Sequence, residues 1–137
     1  MQAVIDFLVQ SQIQYFATVG LDGKPKVRPF QFMLEEAGKL CFCTSNQKNV
    51  FKEIQQQPYI ELCASGDNFS WLRLNGKVAF SQDLPIKAKV QEASPLVMSI
   101  YQRPDNPKFE IFYLDEATAT IAQSAKLKDS ANKHPLF

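Results

Sequence analysis

The sequence predicts a mainly β fold with peripheral helices (α+β), a small antiparallel barrel forming one domain. Three observations predict it. Short stretches in which apolar and polar residues alternate recur along the chain. Tight turn signals, Asp22-Gly23 and Glu35-Glu36-Ala37-Gly38, separate the first of them, and such hairpins make neighbouring strands antiparallel. The 137 residues are 45 % apolar, enough for one real core. About seven strands can bury both an apolar face and their edges by curling into a barrel.

The elements follow in order. Val4, Ile5, Phe7, Leu8 and Ile13 form one face of a short N-terminal helix. Residues 15–19 are the first strand and residues 26–34 the second. The second has Arg28, Phe30 and Phe32 on one face, with Val27, Pro29, Gln31 and Met33 on the other. Residues 39–44 are the third strand. A helix over 46–56 follows, with Val50, Phe51 and Ile54 on its apolar face, and Pro58 stops it. Residues 59–64 are a strand, and Gly66-Asp67-Asn68 is a turn. The strand over 69–81 sets Phe69, Trp71 and Arg73 on one face and Leu72 and Leu74 on the other, with a bend or bulge at Gly76. Asp83 and Pro85 open a helix over 84–93, and a second helix covers 95–101. The last strands are 109–114 and 118–122. The domain spans 1–125, and the polar tail 126–137 is expected to fray.

Composition narrows the function classes. A formal net charge of +1 gives no global bias toward nucleic acid or an anionic membrane. No apolar run approaches the ~20 residues of a membrane span. Residues 1–12 contain Asp6 and no basic region, so they do not read as a secretion signal, and the expected compartment is cytoplasmic. The three cysteines, Cys41, Cys43 and Cys63, are odd in number and lie in strands, which argues against a disulfide framework. Cys41 and Cys43 share a strand face and read as small buried residues. The single histidine, His134, lies in the tail, so no metal site is expected.

The junction 40–54 draws attention as a binding site. A strand passes through hydroxyls and amides into an amphipathic helix. Ser45 or Asn46 is the expected N-cap, which places Lys48 in the first turn. A cation there opposes the helix dipole. A bound phosphate would reverse that, drawing on free amides, Thr44, Ser45 and Lys48 together. The other reading is an ordinary capped helix with a solvated lysine. Arg28-Pro29 is unusual within a strand, because proline removes a ladder donor and belongs at an edge or bulge. That irregularity suits an anionic ligand, or simply an edge strand. Arg73 two residues beyond Trp71 forms either a structural stack or one wall of a flat pocket.

The order Tyr15-Phe16-Ala17-Thr18-Val19, Asp22-Gly23-Lys24-Pro25, Val27-Arg28-Pro29-Phe30, Cys43-Thr44-Ser45, Lys48-Asn49-Val50 and Trp71-Leu72-Arg73-Leu74-Asn75-Gly76 resembles the pyridoxamine 5′-phosphate oxidase-like FMN-binding split-barrel family, in its short single-domain bacterial members. The resemblance runs from Val4 to about Ile121. It implies a six- to seven-stranded split barrel that forms a homodimer with FMN at the subunit interface. By the same resemblance Arg28, Pro29 and Phe30 line the flavin and ribityl region. Thr44, Ser45, Lys48 and Asn49 hold the phosphate and ribityl end, with one further bond from Arg28. Trp71 and Arg73 lie near the ring, and the resemblance leaves open whether they belong to the same subunit or to the other. True pyridoxamine phosphate oxidases close with an arginine–histidine motif, whereas this tail reads Lys133-His134-Pro135-Leu136-Phe137. The implied function is an FMN-dependent oxidoreductase that takes electrons from a reduced nicotinamide and passes them to a small acceptor. The alternatives are a non-catalytic flavin-binding module (carrier, store or stress-linked sensor) and a dimeric scaffold without cofactor.

Overall fold

The computed structural model describes residues 1–122. Helix α1 spans Gln2–Ser11, and strands β1 Gln14–Val19, β2 Pro25–Phe30, β3 Leu34–Glu36 and β4 Lys39–Ser45 follow. Helix α2 covers Asn49–Gln56, β5 Tyr59–Ser65 and β6 Trp71–Ser81. Helices α3 Leu84–Ala93 and α4 Pro95–Tyr101 lead into β7, Phe109–Ala122. The seven strands form one sheet in the order β2-β1-β5-β6-β7-β4-β3, with every paired neighbour antiparallel.

The sheet curls on itself. Its two outermost strands, β2 and β3, are separated in the chain only by residues 31–33. The rings of Phe16 on β1 and Phe112 on β7 are 5.8 Å apart. In a flat sheet those strands would stand three spacings apart, about 14 Å. Phe16, Phe30, Phe42 and Phe112 fill the barrel with stacked and edge contacts between 4.5 and 6.2 Å. This is a split barrel, open between β2 and β3. A second core of Val90, Val97, Tyr101, Phe109 and Ile111 lies under α3 and α4, against the opposite face of β4 and β7.

Three expectations are corrected. The long second strand breaks at residues 31–33, because Phe32 N donates to the Gln14 side chain at 2.6 Å, and β3 turns away to pair with β4. The last two strands are one 14-residue strand, with its irregularity opposite Gly76 and Glu116 at φ 53°. A Cβ on Gly76 would meet the Asp115 carbonyl at 3.0 Å, which accounts for the glycine at that crossing. Phe69 leaves the strand for a single helical turn, Asp67–Phe69, where it is exposed at φ 62°. The expected tail 126–137 lies outside the described residues. Among the described residues, no helix is long and apolar enough to cross a membrane.

Candidate functional site

The junction between β4 and α2 differs from the sequence expectation in one respect. The helix begins at Asn49, and its N-cap is Lys48, in extended conformation with no side-chain cap bond. Ser45 is the last residue of β4, and its Oγ accepts from Gln47 N at 3.2 Å, ahead of the helix, so it does not cap it. Asn46 is engaged elsewhere: its Nδ2 donates to the Pro107 carbonyl at 2.7 Å and to Glu110 Oε2 at 2.9 Å. The turn closes with Lys48 N donating to Ser45 O at 3.1 Å. The first turn of α2 therefore presents amides without a capping side chain, next to an exposed ammonium.

Strand alternation separates Thr44 from Ser45. Thr44 is on the barrel side with Phe42, and its buried Oγ1 has no hydrogen-bond partner among the described residues. Ser45 is on the helix-covered side with Cys43 and Tyr101. Burial, then the neighbouring Cys43 thiol, push the Tyr101 hydroxyl up, and a hydrogen bond with Ser45 opposes them. Cys43 is pushed up to about 12 by burial, opposed by the charge of Lys48.

Arg28 is already occupied within the chain. Its Nη1 donates to the Phe16 carbonyl at 3.2 Å and to Thr18 Oγ1 at 2.7 Å. Its Nη2 donates to Glu53 Oε1 at 2.6 Å, and Thr18 Oγ1 donates to the same oxygen at 2.7 Å. Glu53, only 5 % exposed, fastens α2 to β1 and β2 through this clamp. Pro29 is exposed on the outer face of β2, while Phe30 stacks on Phe16 at 4.5 Å inside the barrel.

Trp71 and Arg73 lie on the outer face of β6, with the guanidinium 5.1 Å from the indole ring centre. The buried Trp71 Nε1 has no partner among the described residues. Arg73 pairs with Thr120 across to β7, whereas Thr44 pairs with Glu110 on the same strand. Ten residues of β7 separate those positions, roughly 30 Å of extended strand. One chain thus brings Ser45, Lys48 and Asn49 to one turn, keeps the Thr44 hydroxyl inside the barrel, and places Trp71 and Arg73 ten residues further along β7.

Sequence reasoning overlooked Glu53 and Glu110. Both had a signal: Glu53 shares a helix face with Val50 and Ile54 at i, i+3, i+4 spacing, and Glu110 interrupts the apolar run Phe109-Glu110-Ile111-Phe112. Among the described residues there is no group of three metal-ligating side chains. Two concavities lie away from all these residues. A cleft of about 290 Å³ is lined by Tyr59, Asn75, Lys77 and Glu116, and an apolar groove of about 560 Å³ by Leu84, Pro85, Ala88 and Arg103.

The fold defines the class, a split-barrel protein whose polar junction sits at the start of α2. Residues 1–122 match the model of the family described as pyridoxamine 5′-phosphate oxidase, and the chain belongs to that family. It is similar to a NimC/NimA family protein from Clostridium acetobutylicum, at 32 % identity over 90 % of this chain and 87 % of that one, with a TM-score of 0.83. A pyridoxamine 5′-phosphate oxidase-related, FMN-binding protein from Nostoc punctiforme shares the fold at 21 % identity, covering 89 % of this chain and 95 % of that one, TM-score 0.68. So does HutZ, the heme storage protein of Vibrio cholerae, at 13 % identity over 88 % and 92 %, TM-score 0.69. No curated protein matches the chain.

Proposed function

We propose that this protein is an FMN-binding flavoprotein, a homodimer with FMN between its subunits, that passes electrons from a reduced nicotinamide to a small acceptor. The observation that carries the reading is the uncapped start of α2 beside the exposed Lys48. A dianionic phosphate answers both the free amides and the cation. The flavin supplies the redox chemistry when bound. Lys48 and the Asn49 and Val50 amides hold its phosphate. Trp71 and Arg73 of a second subunit cover the ring, because their own chain holds them too far away. Tyr15, Val19, Val27 and Tyr59 are large apolar or aromatic side chains exposed on β1, β2 and β5, a surface suited to that partner.

The visible absorption spectrum of the purified protein tests the reading. A yellow preparation, or one that takes up added FMN at one per chain, supports it. A colourless preparation that ignores FMN, and that binds hemin instead, overturns it. Light scattering of the loaded protein must give a dimer, and a flavin-loaded monomer contradicts the interface. Steady-state oxidation of NADH or NADPH with varied acceptors separates an enzyme from a flavin-binding module. Pyridoxamine phosphate should not be oxidised at ~1 per second or faster, the range of ordinary enzymes.

A further inference from the structure

A line of polar side chains, two of them charged and buried, runs from α3 to the β4–α2 junction. Lys87 Nζ, on a residue 5 % exposed, donates to Gln82 Oε1 at 3.0 Å. Gln82 Nε2 donates to Glu110 Oε1 at 3.0 Å. The other carboxylate oxygen, Oε2, accepts from Asn46 Nδ2 at 2.9 Å. Asn46 is pinned twice more, by Nδ2 to the Pro107 carbonyl at 2.7 Å and by its N–H to the Lys108 carbonyl at 3.0 Å. Lys87 also stands 6.0 Å from the Phe109 ring centre. Burying an ammonium and a carboxylate carries a desolvation cost that a well-packed apolar pair avoids. Such a line is poor evidence for added stability. What it does fix is the position of Asn46, two residues before Lys48, and of Glu110, directly opposite Thr44 on β7.

We infer that the Lys87–Gln82–Glu110–Asn46 line is a positioning device for the anion site, holding Lys48 and the first amides of α2 against a phosphate-bearing ligand. The inference rests on the FMN reading above. Glu110 is a positioning residue, not a ligand, since both its oxygens are engaged by amides. Charge and position predict opposite signs for the same substitution. A carboxylate near a phosphate repels it, so if only charge mattered, Glu110→Gln would tighten FMN binding. If position matters, binding weakens. The neutral amide has one acceptor oxygen, cannot serve both Asn46 and Gln82, and sets a donor against a donor.

The test is a set of flavin-fluorescence titrations of the full chain, wild type and Glu110→Gln, with FMN and with riboflavin. FMN should bind about 10-fold weaker, the order of one lost charged hydrogen bond, while riboflavin stays within about twofold. Unchanged or tighter FMN binding overturns the inference, as does an equal loss for both flavins. Should Glu110→Gln fail to fold, Gln82→Ala removes an exposed side chain from the line and should give the same FMN-selective loss, about 3-fold, smaller because Asn46 keeps its own bond to the Glu110 carboxylate. No loss in that variant overturns the inference too. A wild type that binds neither flavin overturns the FMN reading itself and with it the role of the line, a result distinct from a wild type that binds FMN and is indifferent to Glu110.

Discussion

The turn joining β4 to α2 and the outer face of β6 carry the two parts of the candidate site, and they are held in different ways. The turn is fixed from within the chain. Asn46 is bonded to Pro107, Lys108 and Glu110, and the Glu53–Arg28–Thr18 clamp holds the helix behind it. The groups left without a capping partner there are the ones an anion would use, the first amides of α2. On the outer face Trp71 and Arg73 have strand neighbours and a stack at 5.1 Å, but no side-chain hydrogen bond among the described residues. The difference teaches that one part is preorganised within its own chain, while the other is an outward face with an indole N–H left unpartnered among the described residues.

Breaking the clamp should give the largest effect. Glu53→Ala leaves Arg28, partly buried, without its counter-charge, and should cost about 3 kcal/mol in urea unfolding. Because the clamp lies under α2, FMN affinity should fall with it. A midpoint within about 0.5 kcal/mol of wild type contradicts the fixed-from-within description.

The outer face should respond the other way round. Replacing Trp71 and Arg73 together by alanine should change stability by about 1 kcal/mol or less, as for partly exposed positions. It should weaken FMN binding about 10-fold and raise the dimer dissociation constant, seen by light scattering across a dilution series. Equal losses of stability and affinity would show that this face is ordinary core, not cover.

The thiols give the smallest effect and report on both regions. Burial, then the charges of Glu36 and Glu35, push Cys41 up to about 11, and Cys43 is pushed up to about 12. Cys63 is exposed on the outer face, opposite Arg73. At pH 8 a thiolate-selective reagent should label one cysteine per chain, and more slowly in the loaded dimer. The raised thiols stay neutral in the folded chain while the unfolded chain ionises near pH 9. Their contribution is therefore intact below that pH and lost as pH rises toward 12. Rapid labelling of Cys43 would contradict the packing around the turn.

Much of the fold was legible in local pattern. The alternation of Trp71-Leu72-Arg73-Leu74, the Asp83 cap accepting from Ile86 N, and the Asp22-Gly23 hairpin all carry their geometry in adjacent residues. Long-range contacts were not legible. Nothing near residue 32 announces that the Gln14 side chain takes its amide, so the break between β2 and β3 was invisible. The helix start falls later than the pattern suggests because Ser45 and Asn46 are good caps by type, yet the Ser45 hydroxyl accepts from Gln47 and the Asn46 amide bonds Glu110 on β7. Arg28 reads in the sequence as a candidate ligand cation, and nothing near it points to its pairing with Glu53, 25 residues away. Acidic residues within apolar runs were the overlooked signal.

The most direct test of the account is the phosphate dependence of flavin binding. FMN and riboflavin share ring and ribityl chain, so their affinity ratio reads the phosphate contacts alone. The account predicts FMN tighter by roughly 10²-fold or more, several charged hydrogen bonds at ~1.4 kcal/mol per decade. Lys48→Ala should remove about 10-fold of this along with much of its salt dependence, because the amides remain, and leave riboflavin unchanged. If wild type and Lys48→Ala bind the two flavins equally well, no phosphate is held at the start of α2, and Lys48 is a solvated lysine on an ordinary helix.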